Sequence, residues 1–420
     1  MIKNKFSAEK NLVVKNFLNL GVIQGLELLL PLITVPYIVR IVGLDYVGLI
    51  AFLTSIIGYY SMVINYGFHL TGTKEIAQNI ENEAKLSEVF NTVTYSKILL
   101  SLLSLFIFLI TIFFVKKLNQ NIFLYSLIFL NMIFNIFTPN WFLQGVQDLK
   151  IITFLNLIIK IVGTISIFIF VTSINDYILL VIIPMLSSCF VLLVSQFYIS
   201  IKYKIKILKP DFNAIRNQLK SGFFIFMSQL KITFFSNFNI VIIGFILNNN
   251  AVGVFSSAQK IISALSALQV PIVSALYPYF AKNIMIDIGS AFNQIKKIAK
   301  IGGVCYLLVS ISIFIFSKNL TSIIFGTQID EISNVIRILS ITPLLIFLNN
   351  LFGTQFLLNL GKDRIFFKIL LFAALINIVL IFPFIQIFGL NGAALSILVT
   401  EIYLCCAMYY FANKNMLKNV

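Results

Sequence analysis

The sequence predicts an all-α polytopic membrane protein of about twelve transmembrane helices, arranged as two pseudo-repeated six-helix lobes. Three observations predict it. Of 420 residues, 59% are hydrophobic and 11% charged, whereas a soluble chain coats itself with about 25% charged residues. Apolar segments recur at about the 20 residues that one bilayer crossing requires. Basic residues gather on alternate sides of those segments, as the positive-inside rule demands. The 43 Phe residues fit a surface solvated by lipid, which tolerates outward aromatic rings.

In chain order, spans fall near 16–39, 46–67, 91–115, 121–143, 151–172 and 176–200. The second half repeats the pattern near 221–247, 251–280, 298–316, 332–357, 365–388 and 390–412. Residues 1–15 are polar and no Ala-x-Ala-like site follows, so the first span reads as a retained helix, not a signal peptide. The segment TKEIAQNIENEAKLSEVF at 73–90 is too polar to span. It is either an interfacial helix, with Ile76, Ile80, Ala84 and Val89 on one face, or a solvated linker. The stretch 316–332 leaves room for a further short interfacial helix. Trp141 and Tyr37 fall at span ends, where aromatic belts anchor helices.

Charge sets the orientation. A net charge of +16 on a soluble chain would suggest nucleic acid; on a membrane chain it marks loops facing anionic lipid, so no nucleic-acid partner is expected. With both termini cytoplasmic, 22 of the 31 Lys and Arg lie on that side. The outer loops hold Arg40, Lys116, Lys117 and Lys318. A codon bias toward Lys would have scattered them evenly. The basic break at 201–220 (Lys202, Lys204, Lys206, Lys209, Arg216, Lys220) divides the chain into a lobe at 1–200, a cytoplasmic linker and a lobe at 221–420. A faint repeat crosses it: YVGLIAF at 46–52 aligns with AVGVFSS at 251–257, setting Gly48 against Gly253, and IAQNI at 76–80 aligns with FAKNI at 280–284.

Seven ionisable residues lie within spans: Glu27, Lys97, Lys160, Lys231, Lys260, Arg337 and Glu401. A charge at mid-membrane costs about 2.5–3.5 kcal/mol on insertion scales, so such residues face a bundle interior or a watery cavity. Lys97 and Arg337 lie near span ends, where snorkelling to a headgroup competes with substrate contact. Lys160, Lys231 and Lys260 sit about 15 Å deep at 1.5 Å per residue, beyond a Lys stem's reach. They line a cavity or form internal ion pairs. Glu27 and Glu401, also near mid-span, either pair with a lysine or couple transport to an ion. Even with every carboxylate paired, three cations remain, which calls for water or an anionic ligand. Pro31 and Pro36 interrupt the first span, and Pro271 and Pro278 the eighth, as in helices that bend during transport.

Other chemistry is not encoded. Cys189, Cys305, Cys405 and Cys406 lie in apolar segments without metal-ligand spacing, and His69 stands alone. There is no P-loop and no paired-carboxylate loop. No metal, cofactor or catalytic residue is expected.

At the first spans the sequence becomes specific. LLLPLITVPYIVRIVGLDYVGLIAF at 28–52 and INYGFHLTGTKEIA at 64–77 resemble the amino-terminal signature of Wzx-type polysaccharide flippases, in the multidrug/oligosaccharidyl-lipid/polysaccharide exporter superfamily. Pro31, Pro36, Tyr37, Arg40, Gly43, Gly48, Tyr66, Gly67 and Phe68 carry the match. PNWFLQGVQDLK at 139–150 and FGLNGAALS at 388–396 resemble later family segments.

The resemblance implies a MATE-like pair of lobes around a cavity that opens alternately to each side, lined by the first, second, seventh and eighth helices. Glu27, Lys231 and Lys260 would then face it. Lys231, Lys260, Lys160, Arg40, Lys97 and Arg337 form the candidate substrate-binding set, with Glu27 and Glu401 for ion coupling. The implied substrate is an undecaprenyl-diphosphate-linked oligosaccharide, whose diphosphate needs cations. Membrane lipids, a polysaccharide polymerase and a chain-length regulator are the implied partners, and the bacterial inner membrane the location. The rivals are a multidrug or cation antiporter of the same fold, which would want acidic cavity residues, and a membrane-embedded polymerase or glycosyltransferase, which would need a large outer loop.

Overall fold

A computed structural model describes residues 30, 33–326 and 329–419. Every described element is helical. The first is α1, Ile33–Val42. Next come α2 (Leu44–Asn65), α3 (Phe68–Gln78), α4 (Glu83–Phe114), α5 (Lys116–Asn119), α6 (Ile122–Phe137), α7 (Asn140–Gly145), α8 (Leu149–Phe170) and α9 (Leu179–Lys202). The second half holds α10 (Phe212–Ile246), α11 (Asn249–Ala267), α12 (Val270–Ile286), α13 (Ile288–Phe325), α14 (Asp330–Leu339) and α15 (Thr342–Asn349). The last of these runs into a π-helix at Asn350–Leu358, followed by α16 (Asp363–Phe388) and α17 (Leu390–Asn419). Among the described residues, ten helical stretches are long and apolar enough to cross a membrane. Two shorter apolar helices, α1 and Asn237–Ile246, lie where the first and seventh spans were expected. The chain is a multi-pass membrane protein.

Some breaks fall at prolines, whereas Pro36 and Pro278, expected to interrupt their spans, lie inside α1 and α12. Pro139 separates α6 from α7, and Pro271 sits in the first turn of α12 just after α11 ends, because Pro removes a helix N–H and clashes with the preceding turn. Asn82, Asn248 and Asp287 start α4, α11 and α13, their side-chain oxygens accepting the amides of Lys85, Ala251 and Ser290.

Three local expectations are corrected. Segment 73–90 is neither an interfacial helix nor a linker: it is the end of α3, a turn and the first two turns of α4. Ile76 is buried, and a Cβ on Gly145 would press 2.6 Å from its Cγ2. Around 316–332, α13 simply runs on to Phe325, where Gly326 at φ 76° ends it. Trp141 is no interfacial anchor. It is buried, packed over Gly72 and stacked on Phe90 at 6.1 Å.

The division into lobes also shifts. Among the described residues, 50–238 form one compact unit, and 33–49 with 239–419 form the second. The basic stretch 201–220 is not a free linker. Its extended part lies along α4, where Asn91 donates to the Lys206 carbonyl (2.7 Å) and accepts from the Leu208 amide (3.2 Å), and Tyr95 donates to the Leu208 carbonyl (2.7 Å). Its helical part opens α10, whose first half packs in the first unit. Gln218 donates to Thr71 at 3.1 Å, and Phe226 stacks on Tyr66 at 4.6 Å. Asn91→Leu is expected to release this strap, leaving two backbone groups unpaired at about 1–3 kcal/mol each. Hydrogen exchange at 204–209 should rise, and unchanged protection would refute the assignment.

The strap begins at a second fixed point. One Asp148 oxygen accepts from Tyr198 (2.6 Å), Lys202 (2.6 Å) and Tyr203 (2.9 Å). Burial alone would raise this carboxyl, but the hydrogen bonds from Lys202, Tyr198 and Tyr203 outweigh it and hold it below the usual carboxylate range. A depressed carboxyl contributes stability above its unfolded pKa, about 3.9, that is lost as pH falls through the folded value. Exchange of the amides after Lys202 should therefore rise in acid for the native chain. In Asp148→Asn it should be fast already at pH 7.

In the second unit, Gly48 of α2 meets Gly253 of α11. A Cβ on Gly48 would overlap the Asn249 carbonyl oxygen, and one on Gly253 would overlap the Leu44 carbonyl oxygen. Each glycine meets the residue four before its counterpart. Such reciprocity is what two-fold-related elements produce, and these are the two glycines that the repeat aligned.

Candidate functional site: a polar cavity and the intramembrane cations

Within the first unit, α6, α8 and α9 line a half-open cavity of about 340 Å³. Asn131, Asn135, Asn156, Lys160, Ser187 and Ser188 supply most of its polar wall. Helical periodicity places them there, since Asn131 and Asn135 are one turn apart on α6, and Asn156 and Lys160 one turn apart on α8. Asn135 donates to Ser188 Oγ (2.9 Å) and to Asn131 Oδ1 (3.0 Å), and Ser188 donates to the same Asn131 oxygen (2.8 Å). This triangle ties α6 to α9. Lys160 is the predicted residue that the cavity contains; the amides and hydroxyls beside it escaped sequence reasoning. Polar residues in spans resemble ordinary helix-packing groups, and only the four-residue spacing of the two pairs could have flagged them.

The other candidates lie elsewhere. Lys97 lies well inside α4, which starts at Glu83, and its side chain is buried. It does not snorkel. Its buried Nζ donates to the Ile136 carbonyl at 2.7 Å and lies 6.0 Å from the Trp141 ring centroid. That carbonyl belongs to the last turn of α6. In an unbroken helix it would take the Asn140 amide, which here bonds Thr138 instead. The Pro139 break thus leaves a carbonyl at the negative end of the helix dipole, and Lys97 caps it. Lys97→Met is expected to destabilise the protein by about 1–3 kcal/mol through this orphaned acceptor. A purely substrate-directed lysine would leave the thermal unfolding of the purified protein unmoved.

Arg40 has a parallel place. Its guanidinium donates to the Ile323 and Ile324 carbonyls (3.2 and 2.9 Å) in the last turn of α13. Arg337, half-buried in α14, donates from Nε to Ser317 Oγ at 2.7 Å. Glu401 is buried in α17 and accepts from Asn349 Nδ2 at 2.7 Å, so its observed partner is an amide rather than a lysine. Lys260 lies midway along α11, exposed beside the packed residues Ile261 and Ile262. Lys231 lies within α10, its side chain outside the described residues, and Glu27 also lies outside them. The partners seen for Lys97, Arg337 and Arg40 are neutral: they satisfy donors without cancelling charge.

Comparison with known proteins agrees with this architecture. The family model described as polysaccharide biosynthesis protein matches residues 13–284. An Escherichia coli (strain K12) protein provisionally named an O-antigen transporter is 30% identical over 99% of both chains. Among solved structures, an inward-facing multidrug-resistance MATE transporter of the MOP superfamily superposes with a TM-score of 0.72 at 16% identity, covering 93% of this chain and 95% of that one. The lipid II flippase MurJ superposes at 0.67 with 15% identity, covering 96% and 89%. At those identities the structures speak for the fold, and the sequence matches speak for descent: the chain belongs to the polysaccharide biosynthesis protein family.

Proposed function

We propose that this chain is a lipid-linked oligosaccharide flippase, a transporter rather than an enzyme. It carries an undecaprenyl-diphosphate-linked repeat unit across the bacterial inner membrane by alternating access, for assembly of O-antigen or capsule. One observation carries the reading. The intramembrane cations seen with partners are held by neutral groups, and the polar cavity is lined by an ammonium and by no carboxylate. Positive charge held by neutral groups, as at Lys97 and Arg337, suits an anionic cargo and repels a cationic drug, which disfavours the antiporter. The polymerase reading is disfavoured by short connections: Gly43 alone separates α1 from α2, and Leu247 and Asn248 alone separate α10 from α11.

In this scheme Lys231 and Lys260 meet the diphosphate. Lys160 meets another part of the cargo, while Lys97, Arg40 and Arg337 hold the helices that shape the path. Glu401, bonded to an amide, and Glu27 take the ion-coupling role. Both termini and the basic strap lie on the cytoplasmic side, and a polymerase and chain-length regulator receive the product outside. The test is deletion of the gene in its host. Surface polysaccharide should disappear while its lipid-linked repeat unit accumulates in the cytoplasmic leaflet, and a plasmid copy should reverse both. Loss of polysaccharide without that accumulation would overturn the reading.

A further inference from the structure

We infer that the strap at 204–211 and the first turns of α10 form a docking surface for anionic phospholipid, which holds the start of α10 at the membrane surface. Such a surface is independent of the cargo and of the flippase reading.

α4 grips the strap by its backbone. The amides and carbonyls of Lys206 and Leu208 are taken up by Ser87, Asn91 and Tyr95. In an extended chain the side chains project to either side of that line of bonds, so the grip leaves them unused. Ile207 is 91% exposed and Phe212 75%, and Lys206 and Lys209 are exposed beside them. Phe212, Arg216 and Lys220 follow one turn apart along the exposed face of α10. Ile215, Gln218 and Gly222 lie on its buried face.

Position identifies what meets these side chains. The outward apolar surface of α4 begins at Ile98 and Leu99. Ile98 lies three residues beyond Tyr95 and seven beyond Asn91, or about 5–10 Å along the helix at 1.5 Å per residue. On α9 the same kind of surface reaches Phe197 and Ile201, just before the strap. Interfacial segments bury apolar side chains about 5–10 Å into the boundary between headgroups and acyl chains. The strap therefore lies in the headgroup layer, where Ile207 and Phe212 leave water.

Charge selects the lipid. Lys202 and Lys204 have acidic neighbours, Asp148 at 2.6 Å and Glu83 at 3.4 Å. Lys206, Lys209, Arg216 and Lys220 stand in the same stretch as one carboxylate, Asp211. Each cation near an anionic leaflet strengthens attachment about fivefold. A zwitterionic headgroup offers no such gain. An acidic soluble protein would match the cations but not the apolar side chains at the edge of the lipid belt.

Phe212→Trp sets a reporter on this surface, and the native Trp141 is buried. The full-length variant is reconstituted in phosphatidylcholine vesicles with a rising fraction of brominated phosphatidylglycerol or brominated phosphatidylcholine, bromine being a contact quencher. Quenching of the added Trp is read against the native protein. Half-quenching should need at least tenfold less of the anionic lipid. The preference should collapse in about 1 M salt, where the screening length is about 3 Å. It should fall at least fivefold in Lys206→Gln/Lys209→Gln and persist in Lys206→Arg/Lys209→Arg. The salt arm keeps the native cations, so it decides the matter even where the Gln pair fails to fold. Equal quenching by the two lipids would reduce the surface to an apolar contact. No quenching by either would assign it to water or to a soluble partner. A preference that survives both salt and the Gln pair would place the responsible cations elsewhere, and each of these three results overturns the inference.

Discussion

Lys260→Ala and Lys231→Ala are each expected to reduce export of surface polysaccharide at least tenfold, with the amount of protein in the membrane unchanged. Lys260 is the twelfth residue of α11, about 16 Å from its start at 1.5 Å per residue, near the middle of a 30 Å hydrocarbon core. Its side chain is exposed beside the packed face, so truncation creates no cavity, and substitutions of that kind stay within about 0.5 kcal/mol. Loss of a charge-assisted hydrogen bond to phosphate is worth about 1.5–3 kcal/mol, or about 10- to 150-fold in rate. Lys97→Met should show the opposite profile, with lower stability and any transport defect following it. Polysaccharide output against membrane level of the protein separates the cases. Normal export by both Lys231→Ala and Lys260→Ala would remove these residues from the mechanism.

The largest structural effect is expected from Gly48→Ala. Overpacking typically costs about 1–3 kcal/mol when side chains can adjust. Here the obstruction is the Asn249 carbonyl together with the Gly253 amide, 2.6 Å from the added carbon, and backbone in a helix has no rotamer to yield. The penalty should reach or exceed the top of that range, a large share of the roughly 5–15 kcal/mol that holds a domain folded. Gly253→Ala should match it, because the contact is reciprocal. The double substitution should fall short of the sum, since both changes push the same two helices apart. Gly303→Ala is the control: its added carbon would meet only Leu344 Cδ1 at 3.8 Å, an ordinary contact. Melting of the purified variants decides the matter, and native-like unfolding of Gly48→Ala would show that the helices separate freely.

Much of the architecture was legible from apolar length and Pro position, since a bilayer admits few ways to satisfy backbone groups. The alignment of Gly48 with Gly253 survived as a physical contact between them. The polar segments were read less well. Residues 73–90 and 201–220 look solvated by composition, yet Ile76 is buried and Asn91 holds the second segment by its backbone. Hydropathy does not register a hydrogen bond made to a carbonyl rather than to water.

The sequence by itself determined that the protein crosses a membrane repeatedly and that more cations than carboxylates enter the spans. These follow from local chain chemistry: transfer of side chains into lipid, and unit charges. Only the tertiary structure showed what four of the candidate cations meet. Lys97 and Arg40 cap helix ends, Arg337 meets a hydroxyl, and Lys160 joins a cavity of amides and hydroxyls. A buried ammonium has the same need for electron-rich oxygen whether a broken helix or a ligand supplies it, and the supplier comes from a distant part of the chain.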